Sequence, residues 1–310
     1  MSMRAEVNRN VELVQVILFL TGQQEKTFQK LENKIYTDAI SQWFEPYKEH
    51  IAVKLTRELV QTKYFFHIRP LQAILELDTI TEDAEHQLYH WATEVKKFIA
   101  DTRFDTFFES QQGYYNWILE HTNSCELDTW VGFIEEYFRQ KPDEFHLIIC
   151  PLAGNYGFTL KKNSKNVSYT VRFAPKYFEN GTYDWNFDFF AKGIAHEYAH
   201  CFVNPTVEAS KEILADYREF FERHKEIPNF YNTDYAVINE YFVRAFQIRF
   251  MEMNKTLFPT FDIVEEYKVQ KEKFIFIERF VDGMKEFETC DKSFADFYRE
   301  RIGKILDVWV

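Results

Sequence analysis

NFDFFAKGIAHEYAHCFV, residues 186–203, is apolar nearly all the way round when its residues are set at about 100° each on a helical wheel. Phe187, Phe190, Ala191, Ile194 and Tyr198 fall on one side. His196 and His200 fall on the other, with Phe189, Gly193 and Val203. Apart from the His-Glu-Tyr-Ala-His core, only Asp188 and Lys192 break the apolar surround. Such a helix is expected to be buried, and each unpaired polar group inside it costs roughly several kcal/mol. Two histidines and a glutamate there need partners. Asn204-Pro205 is expected to end the helix.

The spacing itself has a chemical reading. Residues i and i+4 share one helix face, so His196 and His200 can bind one zinc ion, and Glu197 can serve as general base for a zinc-activated water. With nine histidines in 310 residues, roughly 0.03 such matches arise by chance, so the apolar setting carries the argument. Gly193 and Ala199 leave room beside the rings. A second pair, His86 and His90 in HQLYH, has the same spacing but no glutamate in second position. It sits opposite Leu88, Ala92 and Val95, where a solvated face is expected.

A catalytic zinc takes three protein ligands and a water. The acidic residues downstream are Glu208, Glu212, Asp216, Glu219 and Glu240. Glu219 lies 19 residues after His200, a spacing similar to that of several zinc peptidases. Yet on a helix burying Val207, Leu214, Tyr217, Phe220 and Phe221 it falls on the opposite, solvated side. Glu240 lies in DYAVINEYFVRAFQIRFM (234–251), flanked on the wheel by Val237, Val243 and Met251. A carboxylate so placed needs zinc, an ion pair with Arg244 at i+4, or both. Glu240 is the favoured third ligand and Glu219 the alternative.

The rest of the chain sets an α+β order. Helical patterning runs from about residue 8 to 140, clearest over 79–100 with a Thr79–Glu82 capping box. FHLIICPLAG (145–154), NYGFTL, the polar KKNSKN (161–166) and VSYTVRFAP (167–175) predict two or three strands with a hairpin. Helices are expected over 186–203, 206–225, 232–253, 262–288 and 292–301. The domains read as a helical region, 1–140, and a catalytic region, 141–310, within one continuous globular unit.

Composition narrows the class. A formal charge of −12 disfavours nucleic-acid binding. Aromatics make up 18% of the chain, with only 9 Gly and 8 Pro, which argues for packed helices over a turn-rich β-sandwich. Cys125, Cys150, Cys201 and Cys290 form no CxxC pair. The apolar run Val14–Leu20 is interrupted by Gln15 and preceded by Glu6 and Glu12, as in a first buried helix. No stretch is apolar enough to span a membrane. A cytoplasmic setting is expected.

HEYAHCFVNP followed by NEYFVRA resembles an uncharacterised, mainly bacterial family catalogued as a domain of unknown function, whose members are read as zinc metallopeptidases. VELVQVILFLTG near the N-terminus and YKEHIAV (47–53) are similar to that family's opening. More broadly the pattern is similar to zincin peptidases with glutamate as third ligand. The resemblance implies a zincin-like fold, with a small antiparallel or mixed sheet packed on the motif helix and an edge strand that pairs with extended substrate. It implies His196, His200 and Glu240 as zinc ligands and Glu197 as base. The gap from His200 to Glu240 is long for that pattern.

The expected activity is therefore zinc-dependent hydrolysis of a peptide or protein substrate. Asn155, Tyr156 and Gly157 are candidate substrate contacts on the sheet. Arg244, Tyr231 and Tyr235 are candidate oxyanion donors or supports of the ligands. The alternative is a non-catalytic binding or scaffold protein stabilised by zinc.

Overall fold

The computed structural model describes residues 3–27, 29, 31–62, 86–178, 182–223 and 233–307. The Thr79–Glu82 capping box and Tyr231 lie outside the described residues. The chain divides into two compact units, one of residues 1–127 and 144–186, the other of 128–143 and 187–310. The strands therefore group with the N-terminal helices. The reason is visible in the pairing, because an unforeseen strand, β1 (Ala5–Glu6), adds to the sheet in parallel beside Leu147 and Ile148.

In the first unit β1 is followed by α1 (Arg9–Leu20), α2 (Gln24–Thr27), α3 (Lys34–Phe44), α4 (Ile51–Leu59), α5 (His86–Thr102), α6 (Phe104–Ser110) and α7 (Gln112–Asn123). After α8 (Leu127–Phe138), which belongs almost wholly to the second unit, come β2 (Glu144–Cys150), β3 (Tyr156–Lys162) and β4 (Lys165–Phe173). The sheet order is β1-β2-β4-β3, with β2 parallel to β1 and β4, and β3 antiparallel to β4. The sheet is thus mixed. The expected hairpin forms, and its tip, Asn163 and Ser164, has φ of 48° and 66°. Two positive φ values in a two-residue loop match the twist of the flanking strands. A small ribbon of β5 (Lys176–Tyr177) and β6 (Tyr183–Asp184) completes the unit.

The first helix is buried as its sequence predicts, and it carries polar groups inward as well. Glu12 and Gln15 are both buried beside Val11, Val14, Ile17 and Leu18. Tyr36 donates to Glu12 Oε2 at 2.6 Å, and the Tyr36 and Tyr115 hydroxyls lie 2.7 Å apart. Burial raises the Glu12 carboxyl to about 7, against Cys150 and Tyr36, whose hydrogen bonds lower it. Between 4.5 and about 7 the native state thus holds a proton that the unfolded chain has released. The stability this contributes is complete below pH 4.5 and is lost as pH rises through 7, about 3 kcal/mol in all. Glu12→Gln is neutral at every pH. It is expected to match the wild type near pH 5 and to exceed its stability by about 2–3 kcal/mol near pH 8, measured by urea unfolding. Parallel pH profiles for the two proteins would refute this.

The second unit is helical: α8, α9 (Phe187–Glu208), a 3₁₀ turn (Lys211–Tyr217), α10 (Arg218–Glu222), α11 (Asp234–Met253), α12 (Ile263–Lys273), α13 (Ile277–Thr289) and α14 (Phe294–Leu306). Its core is aromatic. Phe138 of α8 stacks on Phe202 of α9 at 4.8 Å, with Phe246 at 4.9 Å and Phe294 at 5.3 Å. Tyr241 of α11 stacks on Phe280 of α13 at 4.3 Å. Among the described residues no helix is long and apolar enough to cross a membrane.

Three helical expectations are corrected. Pro205 does not end the motif helix, which runs to Glu208. Proline removes a single N–H, the next turn gains a Thr206 Oγ1 bond to the Phe202 carbonyl at 2.9 Å, and Val207 is fully buried. Residues 206–225 do not form one helix. The chain tightens where Ser210 N–H bonds the Val207 carbonyl at 3.2 Å, and the 3₁₀ turn and α10 follow. Residues 262–288 split at Phe274, whose backbone leaves the helical region as its ring seats against Tyr241 at 5.1 Å and under Arg244 at 4.5 Å.

Candidate metal centre

Helix α9 presents Lys192, His196, His200 and Asn204 at intervals of four, a single stripe along one side. That side is half-exposed, not buried all round as its sequence predicts: Lys192, His196 and His200 are half-buried, and Phe189 is 41% exposed. The opposite side is the anchored one. Phe190, Ala191, Ile194, Ala195 and Phe202 are buried there, and Tyr198 donates to Glu135 at 2.9 Å. Helix α11 is capped by Thr233 through the Ala236 N–H at 3.3 Å and presents Glu240, Arg244 and Gln247 at i, i+4 and i+7. Both helices lie in the second unit, and α9 packs along α11.

The packing brings three donors together. His196 Nε2 and His200 Nε2 are 3.3 Å apart. Glu240 Oε2 is 3.8 Å from His196 Nε2, and Oε1 is 3.5 Å from His200 Nε2. One ligand atom from each residue lies within 4.8 Å of the other two.

The donor set fits a metal dication. Gln247 Oε1 faces His196 Nδ1 at 3.0 Å, and Asn204 Oδ1 faces His200 Nδ1 at 2.9 Å. The Gln247 amide is fixed in that sense because its Nε2 donates to Glu266 Oε1 at 3.2 Å. With an acceptor at Nδ1, each ring carries its proton there and turns the Nε2 lone pair inward. Two lone pairs 3.3 Å apart beside a carboxylate repel unless a cation sits among them. Nitrogens about 2.0–2.1 Å from one tetrahedral zinc stand about 3.4 Å apart, so the observed separation suits that ion.

A proton is the other cation that satisfies the convergence. Burial lowers His200, but the hydrogen bond and charge of Glu240, with the charge of Glu197, outweigh it and raise His200 to about 9. Burial lowers His196 to about 3, against the pull of Glu240. Burial pushes Glu240 up, yet His200, His196 and Arg244 together hold it below the usual carboxylate range.

The ligands are tied into a ring of side chains. Arg244 reaches Glu240 Oε2 with Nε and a terminal nitrogen, both at 3.0 Å, and Gln270 Oε1 with its other nitrogen at 3.0 Å. Gln270 Nε2 donates to Glu266 Oε1 at 2.7 Å, and Lys192 Nζ to Glu266 Oε2 at 2.8 Å. Glu266 in turn holds Gln247 against His196, so the chain His196–Gln247–Glu266–Gln270–Arg244–Glu240 closes on itself. Glu266, Gln270 and Gln247 are all buried. Gln247→Leu removes one member without adding charge. It is expected to lower zinc affinity by about 10–100-fold, read by competition with a chromophoric chelator. Unchanged affinity would show that Gln247 merely fills space.

The other candidates fall as follows. Glu219 is half-exposed and pairs with Arg223 at 2.7 Å, away from the ligand group. Arg244 touches Glu240, as the pairing at i+4 predicts. Tyr235 is half-buried in the first turn of α11, with Lys211 Nζ 5.8 Å from its ring centre. Asn155, Tyr156 and Gly157 belong to the first unit. Tyr156 is buried, Gly157 is exposed, and β3 is an outer strand of the sheet. His90 is exposed, as a solvated face requires.

Sequence reasoning missed Gln247, Asn204, Lys192, Glu266 and Gln270. Three of these carry a readable signal, since Lys192 and Asn204 continue the stripe of His196 and His200, and Gln247 lies two turns from Glu240. Glu266 and Gln270 sit on a different helix, and nothing in their local pattern points inward.

Comparison with curated proteins and with solved structures returns no match. The chain belongs to the family described as Domain of unknown function (DUF4932), which it matches over residues 71–303.

Proposed function

We propose that this chain is a zinc-dependent metallopeptidase of zincin-like type that hydrolyses peptide bonds, with His196, His200 and Glu240 as metal ligands and Glu197 as general base. The observation that carries the reading is the meeting of two Nε2 atoms and one carboxylate within 4.8 Å. Among the described residues the group contains three donors of this kind. That is the number a catalytic zinc takes from protein, whereas a structural zinc takes four. This count favours catalysis over a purely stabilising site.

When bound, zinc supplies Lewis acidity toward a carbonyl oxygen and acidifies water toward a pKa of about 7. The protein's own groups do the rest. Gln247 and Asn204 keep both rings in the ligating tautomer. The Arg244 guanidinium beside it keeps Glu240 ionised. Glu197, next to His196 in the same helix and half-buried, takes the proton of the attacking water and passes it to the leaving amine.

The test is metal analysis of the purified protein together with hydrolysis of a mixed peptide library. One zinc per chain, with hydrolysis abolished by 1,10-phenanthroline and restored by zinc, is the expected result. Protein that binds zinc but leaves every peptide intact overturns the peptidase reading in favour of a scaffold.

A further inference from the structure

Helix α1 carries a carboxyl into the middle of the first unit. Glu12 is fully buried, and titratable groups face it from α3, α7 and β2. Tyr36 of α3 donates to Oε2 at 2.6 Å, and the Tyr115 hydroxyl of α7 lies 2.7 Å beyond it. The Cys150 thiol of β2 is a weak donor to the same carboxyl. Tyr114 of α7 turns its hydroxyl toward Glu12 and Cys150, and that hydroxyl has no hydrogen-bond partner among the described residues. Glu12 Oε1 accepts from no nitrogen or oxygen donor there either. No cation enters the cluster. Helix α4 also packs on α1, but its Arg57 bonds the Thr21 carbonyl at the far end of the helix.

Two side chains link this cluster to open space. Tyr36 and Tyr114 also line a cleft of about 320 Å³ between α3 and α7, together with the carboxamides of Asn33 and Gln111. The two rings are 5.3 Å apart and tilted by 38°, and their hydroxyls belong to the buried cluster. An ionised Glu12 changes the balance behind them. The cluster would then hold a full negative charge with one strong donor, one weak donor and no cation. A buried carboxylate needs more donors than that, or an opposite charge. Water can supply the missing donors, and the cleft brings it to both tyrosine rings. The other groups do not titrate near neutral pH. Burial and the Glu12 charge raise Tyr36, Tyr114, Tyr115 and Cys150, so all four keep their protons.

We propose that Glu12 is a proton-controlled latch of the first unit: with its proton the cluster stays closed and dry, and without it Tyr36 and Tyr114 part, so that water enters from the cleft and hydrates the carboxylate. The latch acts near neutral pH, because burial raises Glu12 to about 7. It is a local opening that leaves the neighbouring core in place. Phe44 and Phe98, stacked at 5.9 Å in the same unit, stay buried throughout. The device is independent of the metal centre.

The test is hydroxyl-radical footprinting of the full chain from about pH 5.5 to about pH 8.5, a range that spans the titration, with oxidised residues located by mass spectrometry. Oxidation of Tyr36, Tyr115 and Cys150, all buried in the closed form, is expected to rise severalfold with a midpoint near pH 7. Glu12→Gln keeps the shape and removes the charge, so its oxidation at these residues should stay low across the range. Phe44 and Phe98 should stay low in both proteins. Should Glu12→Gln fail to fold, the wild-type titration decides by its midpoint and by the contrast with Phe44 and Phe98. A flat wild-type profile overturns the proposal. So does a rise shared by Phe44 and Phe98, which marks loosening of the whole unit, or a rise that persists in Glu12→Gln.

Discussion

Glu197→Gln is expected to keep one zinc per chain and to lose peptide hydrolysis by about 10²–10⁴-fold, the usual contribution of a positioned general base. The substitution preserves shape and removes only the ability to take up a proton. Glu197 is absent from the converging ligand group, so metal content should not move. Its charge does act on His200, raising it; the glutamine variant should therefore bind zinc at least as readily, because one contribution favouring the proton on that ring is gone. The loss should appear in kcat with little change in KM, since a group that acts in the transition state contributes little to substrate binding. Wild-type turnover in Glu197→Gln would end the assignment of this residue. If the wild type also proves inactive, the peptidase reading falls instead, and metal content alone decides whether the site survives.

The second large effect concerns Glu240, which has two tasks. It closes the ligand set with the two imidazoles, and it neutralises Arg244 within a buried ring. Glu240→Ala is expected to abolish stoichiometric zinc binding and to destabilise the zinc-free protein by about 3–5 kcal/mol, because a guanidinium is left without its carboxylate. The second effect is separable. In Glu240→Ala combined with Arg244→Met, the stability of the zinc-free protein should largely return while zinc binding remains absent. Chemical denaturation of both variants with chelator present measures this. If Glu240→Ala binds zinc like the wild type, the third ligand lies elsewhere.

The contrast between Glu240 and Glu219 shows what a linear sequence carries about such a site. Spacing after the motif favours Glu219. The apolar neighbours of Glu240 favour Glu240, and the fold brings that residue to the histidines while Glu219 pairs with Arg223 at the surface. Burial of a charge is legible because neighbours at i±3 and i±4 are written in the chain. The same logic separates His196 and His200 from the exposed His90. The α+β order and the hairpin at Asn163–Ser164 were legible for a related reason, since alternation and turn residues are local. The ends of helices were less so. Pro205 reads as a stop, yet burial of Val207 outweighs one missing hydrogen bond. Phe274 reads as helical, yet its contacts with Tyr241 and Arg244 break the helix. The ring through Glu266 and Gln270 was illegible, because tertiary packing alone turns those two side chains toward α11.

That ring also fixes the electrical character of the centre. Its permanent charges come in opposite pairs, Arg244 with Glu240 and Lys192 with Glu266, and the two imidazoles in the ligating tautomer are neutral. Glu240 therefore reaches the ligand position already balanced by a guanidinium. A dication placed there would keep most of its charge, offset among the described residues by the Glu197 carboxylate, whose charge acts on His200. Such a centre draws electrons strongly from whatever oxygen it meets, and it favours small anions. Free carboxylates, including those that peptide cleavage releases, would then compete with intact substrate, so the hydrolysis proposed above would slow as its products accumulate.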